Sequence, residues 1–90
     1  MDFEWDEAKA SANLLKHGVD FADAATCFDD DRALTLADHD SEGEERFLTM
    51  AMDTFGRILV TAFVDRGTTI RIISSRKASP GECRHYENQL

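Results

Sequence analysis

The apolar residues of this 90-residue chain change their spacing partway along it. Up to about residue 28 they recur every three or four positions, which suits helices. From about residue 33 to residue 77 they alternate or fall in short β-branched runs, which suits strands. Helices first and strands after make an α+β fold, because parallel crossover units would need the two periods to alternate along the chain. Leu, Ile, Val and Phe supply 20 of the 90 residues, enough for the core of one small domain spanning 1–90.

Local signals sharpen this outline. Phe3-Glu4-Trp5 alternates and predicts a short strand. Asp6 suits a helix N-cap, with Glu7 favoured by the dipole in the first turn. Ala8, Ala12 and Leu15 share one face of that helix, and Gly18 suits its left-handed C-cap. Asp20 starts a second helix, where Phe21, Ala24, Ala25 and Phe28 repeat at helical spacing. Strands are expected at 33–37, 47–53, 58–64 and 68–75. An acidic loop at 38–45 and turns at Gly56 and Gly67 separate them. Ser79-Pro80-Gly81-Glu82 combines an N-cap, a first-turn proline and a capping-box acid, so a last helix should run to about Asn88. The expectation is a central antiparallel sheet of four to six strands with helices on one side. Leu48, Met50, Leu59, Phe63 and Ile72 should be buried, with Phe21 and Phe28 pinning the second helix to the sheet.

Several chemistries are excluded by inspection. The five glycines stand at 18, 43, 56, 67 and 81, so no phosphate-cradling glycine motif can be assembled. Residues 38–43 imitate the start of a calcium loop, but its ninth and twelfth positions would be Arg46 and Thr49, without the bidentate acid. His17, His39 and His85 have no ligand spacing, and the expectation is no metal and no cofactor. Cys27 and Cys83 lie far apart, which argues against a disulfide scaffold and makes a reducing cytoplasm the default. The acidic N-terminus does not resemble a signal peptide, and no stretch nears the roughly 20 apolar residues of a membrane helix.

The net charge is −8, yet it is unevenly spread. Residues 1–56 carry 15 acids and four cations, whereas residues 57–90 carry three acids and six cations. An acidic body beside a basic working surface fits this asymmetry, as do acids gathered on solvated loops. In the strand at 68–75, strict alternation points Arg71 with Ile73, Ser75 and Lys77 to one side, and Arg76 with Ile70, Ile72 and Ser74 to the other. Arginine offers a planar fork suited to phosphate, so these positions are candidates for an anion site; a solvated, ion-paired strand face is the alternative.

The opening Phe3-x-Trp5-Asp6-x-x-Lys9, with Asn13 and Lys16-His17-Gly18-Val19-x-Phe21, resembles the start of the BrnT family of bacterial toxins. Ala24-Ala25-x-x-Phe28-Asp29, Glu42-Gly43-Glu44-Glu45-Arg46-Phe47, Arg71-Ile72-Ile73-Ser74-x-Arg76-Lys77-Ala78 and Glu82-x-x-x-Tyr86-Glu87 extend the resemblance over nearly the whole chain. It implies a RelE-like α+β fold and a ribonuclease toxin of a type II toxin–antitoxin pair that blocks translation. It also implies a ribbon-helix-helix antitoxin, BrnA-like, through which alone the complex reaches operator DNA. Metal-free RNA cleavage by a 2′-hydroxyl needs a base, an acid and cations for the charge developing on phosphorus. Mapped onto the resembling motifs, the candidate cations are Arg46, Arg71, Arg76 and Lys77. The candidate bases are Glu45 and His17, and Tyr86 is a candidate hydrogen-bond donor. A catalytically inert partner or co-repressor of the same fold is the competing interpretation, and the acidic net charge leaves it open alongside weak activity or a ribosome-dependent substrate.

Overall fold

A computed structural model describes residues 1–39 and 43–89. Glu42 and the middle of the calcium-loop-like run lie outside the described residues. The elements run β1 (Asp2–Glu4), α1 (Glu7–His17), α2 (Phe21–Ala25), a 3₁₀ turn (Thr26–Asp29), β2 (Leu34–Asp38), β3 (Arg46–Met52), β4 (Ile58–Asp65), β5 (Thr69–Lys77) and α3 (Pro80–Glu87). The strands form one five-stranded sheet in the order β1-β5-β4-β3-β2. The order of elements is the α+β layout expected. The sheet differs from a purely antiparallel one, because β1 joins β5 in parallel as an edge strand. β2 to β5 form the antiparallel meander. Among the described residues no helix is long and apolar enough to cross a membrane.

The helix boundaries follow their capping residues. Asp6 accepts a hydrogen bond from the Lys9 N–H, and Gly18 at φ 70° closes α1 by donating to the Leu14 carbonyl. Ser79 and Glu82 form the reciprocal capping box of α3. Asp53 pins the β3–β4 turn, its carboxylate accepting from the Phe55 and Arg57 N–H groups at 3.0 and 2.8 Å.

The core lies between one sheet face and the first two helices. Val19, Phe21, Ala24 and Cys27 pack there on Ala51, Leu59, Phe63, Ile70 and Ile72. An aromatic chain reinforces it: Phe28 stands edge-on to Phe63 at 4.9 Å, and Phe47 stacks on Phe63 at 5.7 Å. Leu59, Phe63, Ile72 and Phe21 are buried as expected, and Phe28 is half-buried. Leu48 and Met50 are only half-buried. They belong to the opposite face, because β3 turns Phe47, Thr49 and Ala51 toward the helices. In α1 the face of Ala8, Ala12 and Leu15 likewise points to solvent, with Leu15 90% exposed. The buried residue of α1 is the polar Asn13.

Asn13 is buried because β5 needs it. β1 covers β5 only from Thr69 to Arg71, which leaves the later backbone of β5 without a neighbouring strand on that side. The Asn13 amide fills the gap. It donates to the Ser75 carbonyl at 2.8 Å and accepts from the Ser75 N–H at 3.1 Å, while a second donation reaches the Val19 carbonyl at 3.0 Å. One side chain thus imitates the ladder of a missing strand and ties α1 to the sheet.

Candidate functional site

The β4–β5 register slips between Ala62 and Phe63: Ala62 pairs with Ser74, but Phe63 pairs with Ile72. Ile73 is therefore the extra residue of a β-bulge. This overturns the strict alternation expected for β5. Val64 pairs with Arg71 and Val60 with Arg76, so both arginines emerge on the same face. Arg46 shares that face, being in step with Leu48 and Met50 in β3. It is the open face, away from α1 and α2. The bulge thus gathers Arg46, Arg71 and Arg76 on one side of the sheet, with Arg71 and Arg76 drawn from one strand. Lys77 pairs with Leu59 and takes the other face, at the exposed end of β5.

Acids hold two of these cations. The Arg71 guanidinium lies 3.7 Å from Glu4, which also receives Arg66 at 3.0 Å. Arg66 bridges on to Glu44 at 2.9 Å, and this hydrogen bond holds the Glu44 carboxyl below its usual range. Arg76 makes a forked pair with Glu82 at 2.8 and 3.1 Å. The Arg76 bond, with the Ser79 N–H second, holds the Glu82 carboxyl down at about 2 and raises Arg76 in turn. Arg46 makes no ion pair among the described residues; its neighbour acid Glu44 is taken by Arg66. The pairing of Arg46 with Glu44 or Glu45, which would have made it a mere surface residue, is thus absent among those residues.

Between the open face and α3 runs a groove of about 330 Å³. Leu34, Leu48, Met50 and Val60 contribute apolar surface to it. Arg76, Glu82 and His85 line it as well. His85 had no motif to single it out. Its signal was its place three residues after Glu82, which puts both on one side of the capped helix.

The remaining candidates are dispersed. Glu45 is exposed and directly precedes Arg46. His17 sits at the end of α1, half-buried, in a shallow pocket with Lys9, Lys16 and Asn13. Tyr86 is 4% exposed and donates its hydroxyl to Asp30. Burial first, and the Asp30 hydrogen bond second, push the Tyr86 phenol up to about 12. Burial opposes ionisation of Asp30, but donations from the Met52 N–H, the Tyr86 hydroxyl and the Arg32 N–H outweigh it and keep its pKa below the ordinary value. Asp30 thereby joins α3 to the end of β3, a role that an acid in a run of three aspartates did not advertise. Among the described residues no group of three or more His, Cys, Asp or Glu side chains is placed to hold a metal ion.

Comparison with known proteins agrees with this architecture. The model of the family described as "Ribonuclease toxin, BrnT, of type II toxin-antitoxin system" matches residues 5–82. The crystal structure of the Brucella abortus ribonuclease toxin BrnT is similar over 88% of this chain and 97% of its own, with 28% identity and a TM-score of 0.67. A search of curated proteins gave no match. The matched span runs from Trp5 through the bulged, arginine-bearing β5 to Glu82, and a fold this similar accompanies it, so the chain belongs to the BrnT family of ribonuclease toxins of type II toxin–antitoxin systems.

Proposed function

We propose that this toxin cleaves RNA without a metal ion, on the open face of the sheet, and so inhibits translation. The observation that carries the site is the Ile73 bulge, which sets Arg71 and Arg76 on the face that Arg46 occupies. In this chemistry the 2′-hydroxyl oxygen attacks the adjacent phosphorus and loses its proton to a base. The bond from phosphorus to the 5′-oxygen breaks, and that oxygen takes up a proton. The products are a 2′,3′-cyclic phosphate and a free 5′-hydroxyl. Arg46 and Arg71, toward one end of the open face, would stabilise the charge that develops on the phosphate, and Arg76, level with Val60, would bind the RNA strand farther along. Lys77, at the exposed end of β5, would approach the same anion only around the strand end. Glu45, next to Arg46 in the chain, is the favoured base; His17 lies on the α1 side. Tyr86, buried on α3 with its hydroxyl donated to Asp30, would hold that helix in place rather than donate to the phosphate.

The antitoxin of this pair is proposed to be a BrnA-like ribbon-helix-helix protein, with operator DNA bound only through it. A second interpretation, an inert co-repressor, draws on the acids that already hold Arg71 and Arg76 and on the net charge of −8. Induced expression with and without the adjacent-gene antitoxin separates the two, together with cleavage of a single-stranded RNA by purified toxin in excess chelator. Growth arrest relieved by the antitoxin, with chelator-resistant production of cyclic phosphate ends, is expected. Unhindered growth with soluble toxin and intact RNA would leave only the co-repressor role.

A further inference from the structure

The groove beside α3 has a composition that phosphate binding alone does not explain. Five of its residues, Leu34, Leu36, Leu48, Met50 and Val60, are apolar and come from three adjacent strands. Beside them stand a guanidinium and an imidazole, from Arg76 and His85. Both groups are planar, and both are among the side chains on which unpaired bases stack. The acid present, Glu82, is engaged by Arg76 and by the Ser79 N–H, so its charge is offset rather than directed at a ligand.

Arg76 also keeps donors in reserve. Of its five N–H donors, one Nη1–H reaches the Lys77 carbonyl, and Nη1 and Nη2 each give one to Glu82. Among the described residues this leaves Nε–H and one Nη2–H, the pair on one edge of the guanidinium fork. That edge can take a phosphate without breaking the Glu82 pair.

We propose that this groove seats a single unpaired nucleobase of the RNA, lying on the apolar strand residues and stacked on His85, with that nucleotide's phosphate on the free edge of Arg76. The inference rests on the ribonuclease reading above, and it adds the form of the substrate: single-stranded RNA that places one base in the groove. A nucleotide within a duplex does not fit this pose, because the strand residues and His85 would take the two faces on which its neighbours in the helix stack.

Titration of the purified chain with each of the four nucleoside 5′-monophosphates, ribose 5-phosphate and inorganic phosphate, followed by backbone amide NMR, tests this. At least one mononucleotide should bind ten times more tightly than ribose 5-phosphate, with shifts centred on β2, β3, β4 and α3. His85→Ala should weaken that mononucleotide about five- to a hundredfold, the range expected for loss of one stacked base. His85→Phe should restore most of it, because the stacking plane returns. Met50→Gln should weaken the mononucleotide and leave inorganic phosphate unchanged. Ribose 5-phosphate binding as well as every mononucleotide would overturn the proposal, as would His85→Ala without effect. So would groove shifts seen only when the antitoxin is added, which would assign the groove to a protein contact. Cleavage is scored separately. A chain that cleaves RNA but fails these titrations keeps its ribonuclease role and loses the base seat; one that passes them but cleaves nothing does the reverse.

Discussion

Glu82 illustrates how one side chain can serve the fold and the candidate site together. It closes the capping box of α3 and holds Arg76 in a forked pair. Its carboxyl is ionised down to about 2 in the folded protein, against an ordinary value of 4.5. A depressed folded pKa adds stability above the unfolded value, and that stability is lost as pH falls through the folded one. With 34% of the side chain exposed, screening limits the gain to the range of surface pairs, about 0.2–1 kcal/mol. Glu82→Gln, which can still complete the capping box, should therefore be less stable than the parent at pH 7 by no more than about 1 kcal/mol. Denaturant melts at several pH values should show that gap closing between about 4.5 and about 2. A gap that persists at pH 2 would mean that the cap, not the charge, is the source. The capping role was legible in Ser79-Pro80-Gly81-Glu82, since capping is a local pattern. The pairing with Arg76 was not, since it depends on where β5 ends relative to α3.

At the scale of elements, the open flank of β5 and its bulge decide the design. α1 acts there as a surrogate strand through Asn13, so Asn13→Ala strips the Ser75 N–H and carbonyl of their partners. Buried groups left unpaired cost about 1–3 kcal/mol each, and an overall loss of about 3 kcal/mol is expected. At about 4–8 °C per kcal/mol for a domain of this size, the melting temperature should fall by roughly 12–24 °C. Calorimetry of Asn13→Ala checks this, and a shift under a few degrees would deny the strand-surrogate role. A lone Asn in a helical pattern reads as a solvated residue, so the role could not be inferred from spacing. The bulge was equally hidden, because Ile73 is a good strand residue and the slip arises only from pairing with β4. Alternation did divide β3 into two faces. It could not say which one meets the helices, because Leu48 and Met50 are more apolar than Thr49 and Ala51, yet the smaller residues allow α2 and the 3₁₀ turn to approach.

At the scale of the whole molecule, the net charge is −8, and on the open face Glu4 and Glu82 offset Arg71 and Arg76. RNA affinity should then depend on a few local contacts rather than on overall charge. Three phosphate contacts to single-stranded RNA imply a slope of about −2 in log affinity against log salt, at about −0.7 per contact. Binding of an uncleavable 2′-deoxy-substituted oligonucleotide across a salt series measures it, and a slope near zero would contradict a phosphate site. The order of helices and strands was legible because hydrophobic period reports each element directly. The candidate site was legible only as a set of residue types, because the relative faces of Arg71 and Arg76 depend on one slipped register. The most direct measurement is therefore RNA cleavage by Arg46→Ala, Arg71→Ala and Arg76→Ala, each with its melting temperature, beside Lys9→Ala and Lys16→Ala from α1. Each charge-assisted contact is worth about 1.5–3 kcal/mol, so each open-face variant should lose about ten- to a hundredfold in cleavage while remaining folded. The α1 variants should retain full activity. Folded open-face variants that cleave as fast as the parent, or a loss confined to the α1 lysines, would contradict the assignment of the site to the open face.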